Sequence, residues 1–232
     1  MSDPDTNEFP TLIRPIVDGV NVGWKAKGHL RDGTEADLSQ LAYMELTNPK
    51  YGTLAYGKNP GGNFDSWAFH ENGGGGAVIV PYATVDGNLL IGVVEQDRPN
   101  QGGKVLNVPR GFLKPGEPHW VGAERELAEE VGKFVGSLRL LPGKPTNPNS
   151  AFFETVQVDE GVKFSTVEVS PGLLVTKNGL VKFRKSAVTV DKENRAAEQI
   201  TGCHFIPALE AIMLGDMFTV AGVGRLWGML KS

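Results

Sequence analysis

A single cysteine stands in this 232-residue chain, so Cys203 can build neither an internal disulfide framework nor a cysteine-rich zinc site. Set in Ile200-Thr-Gly-Cys-His-Phe-Ile206, it reads as a small core residue rather than a nucleophile, because a free thiol packs like a small apolar side chain. Long hydrophobic runs are absent as well, and nothing approaches the about 18–20 apolar residues that span a bilayer. The opening Met1-Ser-Asp-Pro-Asp-Thr-Asn-Glu8 is acidic and lacks the apolar centre of a secretory leader, so a cytoplasmic, reduced protein without a membrane partner is expected. Charge of one sign is also scarce: 23 basic against 27 acidic residues leave a net −4, which excludes a general nucleic-acid-binding surface. No internal repeat or long low-complexity tract occurs.

The chain is 40% hydrophobic and 22% charged, enough apolar material for a sizeable core and unlike a disordered chain. The stretch Asn72-Gly-Gly-Gly-Gly76 reads as a flexible joint and lacks the Lys-Ser/Thr ending of a phosphate-binding P-loop. It divides a β-rich N-terminal extension, 1–72, from a main domain, 73–232. Pro10, Pro15 and several glycines cut the extension into short elements, with strands over Thr11–Val17 and Val20–Lys25 and a strand or helix over Ala36–Leu46. Beyond the joint, Ala77–Tyr82 and Leu89–Val94 flank Asp86-Gly87 at hairpin spacing. Further strands are expected over Val105–Val108, Val135–Leu141, Phe152–Val158, Lys163–Val169, Leu180–Phe183 and Gln199–Ile206. Asn178-Gly179 suggests that Lys163–Val169 and Leu180–Phe183 form a hairpin insertion. Helical character over Pro207–Leu214, continuing through Met217–Leu230, completes an α+β pattern with a mixed sheet.

The chemistry concentrates between Gly111 and Gly132. Pro118 suits the first turn of a helix and Gly132 its stop. On that helix Glu126, Glu129 and Glu130 fall at i, i+3 and i+4 and share a face, opposite an apolar stripe of Trp120, Ala123, Leu127 and Val131. Three carboxylates on one stripe repel, and a divalent cation reverses the penalty; oxygen donors without Cys or paired His point to Mg²⁺ or Mn²⁺. The same residues also read as a solvated face, with Arg125–Glu129 an ordinary i,i+4 pair.

The segment has the spacing G-x5-E-x7-R-E-U-x-E-E-x-G-U, with U a bulky apolar residue; Gly111, Glu117, Arg125, Glu126, Leu127, Glu129, Glu130 and Gly132 match, and Lys133 departs only at the last position. It resembles the signature of the Nudix hydrolases, which cleave nucleoside diphosphates linked to another group. The resemblance implies an α/β/α sandwich on a mixed sheet, metal ligation by Glu126 and Glu130 with Glu129 assisting and the Gly111 carbonyl adding a ligand, and a loop held by Arg125 and Glu117.

Three outlying features resemble the ADP-ribose and nucleotide-sugar pyrophosphatase branch. Gln96-Asp97-Arg98 looks like its Gln-x-Arg element, with Arg98 suited to a phosphate. Pro148 stands sixteen positions after Gly132, and the loop from it to Glu154 looks like the branch's substrate loop. The acidic stretch Asp191–Glu198 looks like a loop that supplies a catalytic glutamate, making Glu193 and Glu198 candidates. One departure bears on specificity: Asn107 and Arg110 stand in Leu106-Asn-Val-Pro-Arg-Gly111 where the branch has Glu-x-Pro-Ala-Gly. Arg110 either grips an additional phosphate or points to solvent. The expectation is Mg²⁺-dependent hydrolysis of ADP-ribose or a related nucleoside diphosphate sugar by a homodimer, with residues 1–72 supplying substrate or dimer contacts. Dinucleoside polyphosphates and dinucleotide cofactors remain as alternative substrates, and a non-enzymatic ligand sensor of the same fold as an alternative role.

Overall fold

A continuous apolar run sets up the centre of the sheet, as expected of a strand covered on both faces. In Ala77-Val-Ile-Val-Pro-Tyr82 successive side chains point to opposite sides of an extended strand, and all six residues are buried. The computed structural model describes residues 27–29, 35–37, 43–48, 52–58, 65–71, 73–98, 102–146, 161–197 and 199–232, and the α+β class with a mixed sheet holds. Strands β1 (Lys27–His29) and β2 (Glu35–Asp37) form an antiparallel ribbon. Strands β3 (Tyr43–Asn48), β4 (Gly52–Lys58) and β5 (Asp65–Glu71) form a three-stranded antiparallel sheet. The described parts of Ala36–Leu46 are thus strand. Thr11–Val17, Val20–Lys25 and Phe152–Val158 lie outside the described residues.

The main sheet comprises β6 (Gly75–Val85), β7 (Asn88–Arg98), β8 (Gly103–Asn107), β9 (Arg110–Phe112), β10 (Leu138–Leu140), β11 (Gly161–Glu168), β12 (Leu174–Lys177), β13 (Leu180–Phe183) and β14 (Ile200–Pro207). Its order is β10-β11-β6-β7-β14-β13-β12, with β8 on β7 and β9 on β6; β11 and β6 run parallel and the remaining pairs antiparallel. Asp86 and Gly87, at φ 50° and 78°, make the tight β6–β7 turn that Asp-Gly favours. The second hairpin differs from expectation: Asn178-Gly179 joins β12 to β13, whereas β11 lies beside β6. The turn signal marks where the chain reverses but leaves open which upstream run pairs.

Helices cover both faces. Val78, Val80 and Tyr82 meet Ala208 and Ala211 of α3 (Ala208–Ile212) and Val223 and Leu226 of α4 (Met217–Lys231). On the opposite face Ala77 and Ile79 meet Ala123 of α1 (His119–Glu126), while Val94 and Ile200 meet Val131. The short helix α2 (Lys192–Ala197) precedes β14. The C-terminal helical region is interrupted at Gly215 (φ 75°), after which Asp216 caps α4 by accepting from Thr219 N.

Two expectations about packing are corrected. The glycines after Asn72 are not a flexible joint: a Cβ on Gly73 would fall 1.8 Å from Leu113 O, and one on Gly75 1.9 Å from Gly161 O. Close backbone approach between neighbouring segments, rather than mobility, demands glycine there. Trp120 leaves the expected apolar stripe and is 65% exposed, while Ala123 and Val131 are buried. The buried face instead includes Gly122, where a Cβ would fall 2.4 Å from the Leu113 side chain, and Trp120, two residues earlier and about 200° round the helix, lies on the opposite side.

Candidate active site

The loop before α1 is folded by one carboxylate. Gly116 (φ 74°) closes a turn in which Glu117 N donates to Lys114 O at 2.9 Å and Lys114 N donates back to Glu117 Oε2 at 2.9 Å. Arg125, reaching back from the helix, donates through Nε to Glu117 Oε1 and through an Nη to Glu117 Oε2, both at 2.9 Å. This planar fork suits guanidinium geometry. The same side chain donates to Phe112 O at 2.8 Å, Glu126 Oε1 at 2.5 Å and Glu129 Oε2 at 3.1 Å. The hydrogen bond from Arg125 holds the Glu117 carboxyl down at about 2, against a partial opposing effect of desolvation.

After Glu126 the helix widens. Leu127–Val131 form a π turn, with Gly132 N donating to Leu127 O at 3.0 Å and Gly132 (φ 109°) ending it. The α spacing expected for Glu129 and Glu130 therefore gives way to a wider turn. Glu126 and Glu130 are buried, and Glu129 is half-buried. A Cβ on Gly111 would lie 2.0 Å from Glu126 Oε1, so glycine alone leaves the carboxylate its place. Glu130 Oε2 accepts from Arg110 N at 3.1 Å, tying it to the same loop.

These donors fit a hard divalent cation: two buried carboxylates packed against a glycine carbonyl loop, with Glu129 alongside and no sulfur among them. Among the described residues no three Asp, Glu, His or Cys side chains already converge on one point. Arg125 instead holds Glu126 and Glu129.

Arg110 neither faces solvent nor stands alone. Its Nη1 lies 2.6 Å from Asp216 Oδ1, and its guanidinium sits 4.7 Å from the Phe218 ring centroid. Asp216 Oδ2 accepts from Thr219 N and Oγ1, and Thr219 Oγ1 accepts from Val108 N at 3.1 Å, so the Pro-Arg-Gly loop is stitched to the start of α4. Arg98 donates from Nε to Oε1 of buried Gln96 at 2.8 Å. Glu193 is exposed on α2, where its N–H donates to Asp191 Oδ1. Pro148, Glu154 and Glu198 lie outside the described residues.

Sequence reasoning missed Arg195. From α2 it donates through Nε to Glu130 O at 2.9 Å and through an Nη to Val131 O at 2.6 Å, satisfying carbonyls at the end of the π turn. Lys133 and Thr189 exchange backbone hydrogen bonds beside it, so the acidic loop is fastened to the carboxylate helix. An arginine set between Glu193 and Glu198 was the available signal. Nearby, desolvation pushes the Cys203 thiol up to about 12 and leaves it protonated at neutral pH; the residue is half-buried, packed against the cluster of Val94, Val131 and Ile200.

A family model described as NUDIX domain matches residues 75–209, more than half of the chain, and the chain belongs to the Nudix family. It is accordingly a Nudix hydrolase of nucleoside diphosphate-linked substrates, in a family that generally uses divalent metal ions. No curated protein matches the chain. Similar solved structures include an ADP compounds hydrolase, 15% identical over 82% of this chain and 91% of that one, with a TM-score of 0.45. An Ap4A hydrolase from C. elegans is 16% identical, over 67% of this chain and 97% of that one, at a TM-score of 0.40. The NUDIX domain of Shewanella oneidensis NrtR, solved with ADP ribose, is 12% identical over 67% and 86% at 0.41. At such values the choice of substrate rests on this chain's own residues. No helix among the described residues is long and apolar enough to cross a membrane.

Proposed function

We propose that this hydrolase acts on the diphosphate bond of ADP-ribose or a related nucleoside diphosphate sugar, with Mg²⁺ as its cation and Mn²⁺ as a substitute. The observation that carries the reading is the buried pair Glu126 and Glu130 held beside Gly111, a donor set suited to a cation at a diphosphate. Glu126, Glu130 and the Gly111 carbonyl would hold the ion, with Glu129 assisting. When bound, such a cation neutralises the diphosphate and activates water. Arg125 orients Glu126 and Glu129 through its hydrogen bonds. Glu129, Glu193, Glu198 and Glu154 are the candidates to take the proton of the attacking water.

Arg98, oriented by Gln96, supplies a guanidinium for the diphosphate. The Arg110–Asp216 pair supports a diphosphate over a longer polyphosphate, since the cation beside the carboxylates is already neutralised. Pro148 and the loop to Glu154 belong to the substrate side of this reading, and residues 1–72 contribute substrate or homodimer contacts. For ADP-ribose the products are AMP and ribose 5-phosphate.

The test is competition between ADP-ribose, ADP-glucose, diadenosine polyphosphates and ATP at one Mg²⁺ concentration. ADP-ribose is expected to show the highest kcat/KM, and Arg98→Ala to raise KM with little change in kcat. Preference for ATP or a dinucleoside polyphosphate would overturn the assignment.

A further inference from the structure

Arg110 is held from both sides of the sheet. Its backbone N–H donates to Oε2 of buried Glu130 at 3.1 Å, whereas its side chain packs on Phe218 of α4 and bonds to Asp216. The chain around it has little else to fix that N–H. Strand β9 is three residues long, and Pro109 before it has no donor of its own. The Pro109 carbonyl accepts from Ile79 N at 2.9 Å, and Val108 N donates to Thr219 Oγ1 at 3.1 Å. Asp216 meets two demands with one carboxylate. Oδ2 caps α4 by accepting from Thr219 N and Oγ1, and Oδ1 lies 2.6 Å from Arg110 Nη1. Asparagine caps a helix as well as aspartate, so the cap alone does not call for a charge. Less than a fifth of either side chain of the pair is exposed, so water screens it weakly and each charge needs the other.

From these features we infer that Asp216 is a positioning residue for the carboxylate centre. It clamps the Arg110 side chain on the α4 face and thereby fixes the backbone N–H that orients Glu130 on the α1 face. The clamp crosses 106 residues of sequence, from the start of the last helix to the loop beside the carboxylates. A carboxylate held by a fixed donor presents one geometry to a cation, whereas a loosened one must be ordered when the ion binds. The inference rests on the reading that Glu130 holds the cation.

The experiment measures Mn²⁺ binding to the full-length protein, without substrate, from the electron paramagnetic resonance signal of the free ion. Wild type is compared with Asp216→Asn, Arg110→Met, the double variant, Glu130→Gln and Arg225→Ala. Asp216→Asn keeps the cap on α4 and removes the clamp, and Mn²⁺ should bind about tenfold more weakly, the weight of one hydrogen bond to a charged group. Arg110→Met separates clamp from field. Loss of a cation near the site would by itself tighten Mn²⁺ binding, whereas loss of the clamp should weaken it about tenfold. The double variant should be no weaker than either single one. In both single variants the amide at position 110 should exchange faster with water by NMR, a change that capping of α4 alone would not produce. Arg225→Ala cuts a different tie from α4, to Lys144 O at 2.8 Å, and should lower the melting temperature with Mn²⁺ affinity unchanged. If Asp216→Asn does not fold, Arg110→Met decides. Tighter Mn²⁺ binding in Arg110→Met, or an equal loss in Arg225→Ala, overturns the positioning role. Unchanged affinity in Asp216→Asn, while Glu130→Gln loses the ion, overturns it too and leaves Glu130 a ligand. Unchanged affinity in Glu130→Gln overturns the cation reading, and the positioning role with it.

Discussion

Replacing Glu117 by Gln removes the charge around which the loop before α1 is folded. The carboxylate takes two hydrogen bonds from Arg125 and one from Lys114 N, and it titrates at about 2 instead of 4.5. A shift of that size corresponds to about 3 kcal/mol by linkage. Contact of the pair with water screens it, so about 1–2 kcal/mol is expected. The sign follows from proton binding. Between pH 4.5 and about 2 the unfolded chain carries a proton on Glu117 that the folded protein lacks. The stabilisation is therefore complete above the unfolded value and disappears as pH falls through the folded one. Urea unfolding of wild type and Glu117→Gln across that range measures it directly. The variant should be less stable by about 1–2 kcal/mol at neutral pH, and the two stability curves should converge toward pH 2. Curves that stay parallel through the acid limb would refute the assignment of the interaction to the Glu117 charge. Freed of Glu117, Arg125 retains Glu126 and Glu129, so the Mg²⁺ concentration for half-maximal turnover should rise as well.

Glu130→Gln should keep the fold but lose about 10²-fold or more in turnover, because shape is preserved while a charge acting in the transition state is removed; circular dichroism with steady-state kinetics checks both halves, and near-normal activity in a folded variant would rule Glu130 out as a principal ligand. Arg195→Ala leaves the Glu130 and Val131 carbonyls without this partner and should cost about 1–3 kcal/mol in urea unfolding. It should also raise the half-saturating Mg²⁺ concentration, an effect absent if Arg195 only fastens the surface loop.

Much of the site was legible because its determinants are local. Glu117 and Arg125 are eight residues apart, and the carboxylates follow within one further turn or so, so the spacing places them together once a helix forms. Pro118 and Gly132 bound that helix through their own backbone preferences, as Asp86-Gly87 determines its turn. The widening into a π turn was not legible, since its register depends on what Val131 packs against: Val94 and Ile200, far along the chain.

The sequence by itself determined the reaction class, through a motif whose members are near neighbours, and the mixed α+β architecture, through periodicity and turn residues. Tertiary structure decided what each distant polar residue does. Arg110 meets Asp216 across 106 residues, and Arg195 reaches Glu130 across 65. Neither pairing has a spacing rule, because strand order and helix placement bring the partners together. The glycines at 73–76 show the same division: their composition suggests freedom, whereas neighbouring segments leave several of them no space for a side chain. Asn107 is an ordinary polar residue in sequence, and only burial at the end of β8 turns its amide into an unanswered donor. Local chemistry is written in spacing, whereas burial depends on every element that packs around a residue.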